Sequence, residues 1–151
     1  MPLDFEKYAM KGHEFINQLA KKLGDETDKD RAGRILRSVF RVIRNHITLE
    51  ESIQLISQFP MALKGVYVDG WKINESADNI QSLDDLANEV IKEEGNVAWR
   101  DFSNIDEVLQ AVRAVIETLI VYVSSEEIGY SFDTLPKGLR KILTTWLPTV
   151  T

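Results

Sequence analysis

One short pattern constrains this chain more than any other. Phe59-Pro60-Met61-Ala62-Leu63-Lys64 is echoed 76 positions further on by Leu135-Pro136-Lys137-Gly138-Leu139-Arg140. Proline has no N–H and clashes with the preceding helical turn, so a helix ends there and a second one starts at an angle. Each copy follows the same start signal, Thr48 with Glu51 and Ser124 with Glu127. In such a capping box the hydroxyl accepts from the amide three residues on, and the carboxylate reaches back to the first amide.

Sliding the chain by 76 aligns residues 32–71 with 108–147 without a gap. Identities are few: Arg37/Arg113, Val39/Val115, Glu50/Glu126, Glu51/Glu127, Pro60/Pro136 and Leu63/Leu139. The apolar pattern agrees more widely, as in Leu36/Val112, Phe40/Ile116, Ile43/Leu119, Ile56/Phe132 and Tyr67/Leu143. The first helices align at an offset of 71, through Phe15/Leu86, Leu19/Val90 and Gly24/Gly95. The expected fold is therefore all-α, a single domain over 1–151 with about eight helices. They form two similar four-helix halves, about 4–71 and about 82–147, joined by a connector over about 72–81. Halves too small for separate cores pack face to face, commonly about a pseudo-twofold axis.

Helical spacing of Phe5, Tyr8, Phe15, Ile16, Leu19 and Leu23 gives a first helix ending at Gly24. Thr27 with Asp30 marks the next start. Ala32, Ile35, Leu36, Val39, Phe40, Ile43 and Ile47 then form a stripe about 140° wide. In the second half, Ser82 with Asp85 opens a helix that ends at Gly95-Asn96. The loop or short turn over 96–103 carries Trp99 and Phe102, both expected to pack on the core. Ser103 or Asn104 caps a long helix whose periodicity runs through Val123 despite its β-branched 118–123 stretch.

Phe59-Pro60-Met61-Ala62-Leu63-Lys64 with Trp71 beyond it, preceded by the Arg-rich helix 31–44, resembles an uncharacterised bacterial family of duplicated helical domains, known only as a domain of unknown function (DUF). The resemblance covers nearly the whole chain. It implies an all-helical fold of two related halves and supplies no catalytic residues. The second copy departs from the pattern in Ser131-Phe132-Asp133-Thr134 and in Trp146, which stands one residue early.

The sequence offers little chemistry. With no Cys, thiol nucleophiles, disulfides and cysteine-ligated metals are excluded. His13 and His46 are the only histidines, neither at a metal-ligand spacing. His46 suits the end of a helix, where imidazole meets free carbonyls. Gly65, Gly70, Gly129 and Gly138 are scattered rather than gathered in a phosphate loop. Glu50-Glu51 and Glu126-Glu127 read as helix-start charges before acid–base pairs. Trp71, Trp99 and Trp146 read as packing before pocket lining. No catalytic residue, metal or cofactor is expected, and the chain reads as a non-enzyme. No signal-peptide core or membrane span is visible, so the chain reads as soluble and cytoplasmic.

The distinctive surface is cationic. Arg31, Arg34, Arg37, Arg41 and Arg44 lie opposite the apolar stripe of the second helix, in a chain of formal net charge −6. Local acids such as Asp28, Asp30, Glu50 and Glu51 offer the simplest balance. Residues 75–107, however, hold ten acids against Lys92 and Arg100, so the Arg face also fits an acidic face within the molecule or across a homodimer. The second half keeps only Arg113 there, so the fold does not need this charge. The leading expectation is a protein-interaction or self-association module using this face. Nucleic acid or another phosphate ligand on the same face is the alternative, although the net charge disfavours non-specific nucleic-acid binding. A small-molecule carrier or enzyme with a site between the halves is the third.

Overall fold

The computed structural model describes residues 2–73 and 79–148, and every described regular element is helical. The central connector expected over 72–81 falls partly on residues 74–78, which lie outside the described residues.

Helix α1 spans Phe5–Lys22, started by Asp4, whose carboxylate accepts from the Lys7 N–H at 3.1 Å. Only its middle and end are buried, through Phe15, Leu19 and Ala20. Phe5 is 72% exposed, so the apolar stripe expected from Phe5 onward starts later. Helix α2 spans Lys29–His46. Asp28 caps it by accepting from the Arg31 N–H at 3.0 Å, one residue later than the Thr27 start. Thr27 instead bonds the Asp25 carboxylate.

Helix α3, Leu49–Ser57, begins with the complete Thr48–Glu51 capping box. Pro60 then stands just outside α4, Met61–Val68. Tyr67 of α4 is fully buried and its hydroxyl lies 2.7 Å from Ser52 Oγ. Phe40, Phe59 and Tyr67 stack with centroids 5.3–5.7 Å apart, so the proline joint closes over an aromatic core.

Helix α5 spans Leu83–Glu94, capped by Ser82. Gly95 leaves it at φ 66, a conformation natural to glycine. A 3₁₀ turn over Gly95–Val97 and the one-turn helix α6, Ala98–Asp101, follow. The segment expected as a loop or short turn is thus two short helical turns, and it carries Asp101 back onto α2. Phe102 is buried as expected, but Trp99 is 77% exposed.

Helix α7 spans Ile105–Leu119, capped by Asn104. It stops short of the expected Val123: residues 120–123 form a turn, with the Val123 N–H bonded to Leu119 O at 2.8 Å. The β-branched residues of that stretch favour helix only weakly. Helix α8 is Ser125–Ser131 and α9 is Lys137–Thr145. The Ser124–Glu127 box is only half formed. Ser124 accepts from Glu127 N–H, but Glu127 Oε1 has no partner and the Ser124 N–H points to Gln58 Oε1 at 3.5 Å.

Helix α2 is the axis of the fold, packed by α1, α4, α5 and α7, while α3 lies on α8. This wrapping buries Ser38 and Arg44 beyond the predicted stripe. The space lined by Val42, Ile43, Val112, Ile116, Phe132 and Leu143 is an apolar void of about 20 Å³. That is room for about one water molecule and not for a ligand.

Candidate functional site

The five arginines do not form one free face. Two of them hold α6 against the start of α2. Arg34 grips the Asp101 carboxylate with two bonds of 2.9 and 2.7 Å, and Arg31 donates twice to the Asp101 carbonyl at 3.0 and 2.8 Å. Asp101 is only 3% exposed. A third, Arg44, is 8% exposed and donates to the carbonyls of Tyr67 and Asp69, both at 2.8 Å. Its guanidinium also lies 6.0 Å from the Trp71 ring centre, within cation–π reach. Burial lowers the Arg44 pKa from its ordinary value. The arginine row is therefore largely an internal clamp, and the carboxylate it grips, Asp101, is one of the ten acids of residues 75–107. Arg37 is exposed and Arg41 half-buried, and neither has a hydrogen-bond or ion-pair partner among the described residues.

Glu94 completes the buried cluster. It is 8% exposed, and Ser38 Oγ donates to its Oε1 at 3.3 Å. Burial pushes the Glu94 carboxyl up to about 8, and its hydrogen bond to Asp101 adds to the rise. Burial alone would raise Asp101 too, but the Arg34 bonds, the neighbouring Glu94 and the charges of Arg34 and Arg31 together hold it below its ordinary value. The opposite shifts favour one negative charge on the pair at neutral pH, held on Asp101 beside a neutral Glu94. Glu94 Oε2 is buried and receives no donor, which disfavours charge on this carboxyl. Neither carboxyl lines the neighbouring groove, so this arrangement locks α5, α6 and α2 together and does not present an acid to a substrate. The sequence pattern missed it because Glu94 and Asp101 are separated by the break at Gly95 and meet only after the chain turns.

The other feature is a groove of about 680 Å³, walled by Ile91, Phe102, Ile105 and Val108, with Trp99 on its edge. Asn96 and Asn104 add polar rim groups. The remaining tryptophans are half-buried, Trp71 edge-on to Tyr67 and Trp146 with the Arg113 guanidinium 6.0 Å from its ring centre. His46 closes α2 with Nδ1 2.8 Å from Val42 O. Among the described residues no three His, Asp or Glu side chains gather as a metal site, and no helix is long and apolar enough to cross a membrane.

Comparison with known proteins adds a family but no activity. No curated protein matches the chain. The family described as uncharacterized conserved protein (DUF2267) matches residues 12–142, nearly all of the helical fold, and the chain belongs to that family.

Proposed function

We propose that this protein is a non-catalytic interaction module that docks a protein partner, or its own copy, through the Trp99 groove. The exposure of Trp99, 77% in a chain that buries its other large aromatic side chains more deeply or clusters them, is the observation that carries this reading. An indole at the edge of an apolar groove is the usual anchor of a protein interface, with polar groups around it. A photo-cross-linker at position 99 tests it. The expected result is one discrete product, lost in Ile105→Asp while the far-ultraviolet helix signal persists. No discrete product, together with a monomer in sedimentation at every salt concentration, defeats the proposal.

Arg37 and Arg41 favour a second reading, in which an acidic surface is met on α2. It is narrower than a five-arginine face, since Arg31, Arg34 and Arg44 are engaged inside the molecule. Arg37→Glu with Arg41→Glu then weakens association at low salt, and unchanged association removes this reading.

We further propose that the two halves arose by duplication within one domain and pack about a pseudo-twofold axis. Support comes from the α3–α8 seam. Gln58 accepts from the Ser124 N–H, and Thr134, its equivalent 76 residues on, donates to Glu51 Oε1 at 2.7 Å. Each of these residues, two positions before its proline, thus reaches to the start of a helix in the other half. The symmetry is incomplete, because α4 packs on α1 and α2 more extensively than α9 packs on its counterparts.

A further inference from the structure

The opening half of α1 and the first turn of α4 approach unusually closely. A Cβ on Gly12 would lie 3.0 Å from Ala62 Cβ, so glycine there lets the two backbones meet. That approach brings Lys7 and Lys11, one turn apart on α1, beside Lys64 on α4. The three line a depression of about 350 Å³ that also takes in Tyr8, Tyr122, Pro60 and Met61.

The charge of this depression is largely unbalanced. Lys7 and Lys64 have no ion-pair partner among the described residues, and Lys11 has only Glu14 at 3.8 Å, with both side chains about half exposed. Such an exposed pair contributes little and leaves the ammonium available. Three converging cations in a chain of net charge −6 are not a general property of its surface. Nor does the packing demand them. The counterpart of Lys64 is Arg140, which donates to its own Asp133 carbonyl at 3.1 Å, and the counterparts of Lys7 and Lys11 are Asp78 and Ser82.

We propose that this depression is a binding site for a small organic phosphate, a phosphomonoester carrying an apolar or aromatic portion. The lysines supply mobile point charges for the dianion, and the rings of Tyr8 and Tyr122 wall the depression beside them. Met61, 47% exposed, and Pro60 offer apolar surface to the rest of the molecule, and the volume falls within the range of small-molecule sites. The site draws on both halves, since Tyr122 follows α7, and it is separate from the Trp99 groove.

Phenyl phosphate, inorganic phosphate and vesicles containing phosphatidate are the probes, with binding followed by amide chemical shifts for the soluble ligands and by co-sedimentation for the vesicles. The expected result is saturable binding of phenyl phosphate, tighter than inorganic phosphate, with shifts around Lys11, Lys64 and Tyr122. Lys7→Gln with Lys64→Gln weakens it by at least about tenfold, roughly the effect of losing two charge-assisted contacts, with the helix signal unchanged. Absence of saturation overturns the proposal, as does equal affinity in the double variant. Binding of phosphatidate vesicles without binding of phenyl phosphate overturns it as well, because the site is then a membrane-facing patch.

Discussion

Glu94→Gln tests the buried carboxyl pair directly. Glu94 rises from an ordinary 4.5 to about 8 in the folded protein, so the folded chain holds this proton more tightly than the unfolded one. Its contribution to stability is complete below 4.5 and declines as pH rises, disappearing once pH passes about 8. At about 1.36 kcal/mol per pH unit, that decline amounts to ~4 kcal/mol between pH 5 and pH 9. A loss of this size is a large part of the ~5–15 kcal/mol that holds an ordinary domain folded. Glutamine keeps the shape, accepts from Ser38 and donates to Asp101, but cannot ionise. The variant should therefore match the wild type near pH 5 and exceed it by ~4 kcal/mol at pH 9. Urea unfolding followed by circular dichroism at pH 5, 6.5, 8 and 9 measures this. A wild-type midpoint that does not move across this range refutes the reasoning, and so does a variant that falls with the same slope.

Two further substitutions probe the joints around that core. Gly12→Val places a branched side chain against Ala62 and should cost ~2 kcal/mol in urea unfolding through overpacking, with the helix content preserved. Arg44→Ala removes both carbonyl contacts that fasten the end of α4 to α2 and should destabilise by ~2–3 kcal/mol; hydrogen exchange should show faster opening at residues 67–71 than elsewhere.

The helix pattern was legible where local chemistry decides. The proline joints, the Thr48 cap and the stripe of α2 all follow from spacing, because a cap or a missing N–H acts over three or four residues. Misplacements came where distant packing competes with local preference. Phe5 belongs to the helical period of α1, yet the packing of that helix leaves it 72% exposed. Trp99 is apolar and aromatic, but Asp101, two residues on, is held inward, its side chain by Arg34 and its carbonyl by Arg31, and the single turn of α6 leaves the indole facing out. The arginine row was visible as a row. Which of its members are exposed depends on α5 and α6 crossing it, and no periodicity within α2 carries that information. Arg44 illustrates the limit: its partners are two carbonyls, and backbone acceptors leave no mark in a sequence.

The seam between α3 and α8 bears on how the chain is made. Glu51 receives Thr134 from 83 residues downstream, and Gln58 meets Ser124 from 66 downstream. A ribosome adding about 5–20 residues per second separates Glu51 from Thr134 by roughly 4–17 s. Throughout that interval the first half exists with its aromatic trio assembled at most against itself, and with the surface destined for α5, α7 and α8 open to solvent. The nascent chain is thus most prone to aggregation after its first half has been synthesised, and folding closes late, from the second half back onto the first.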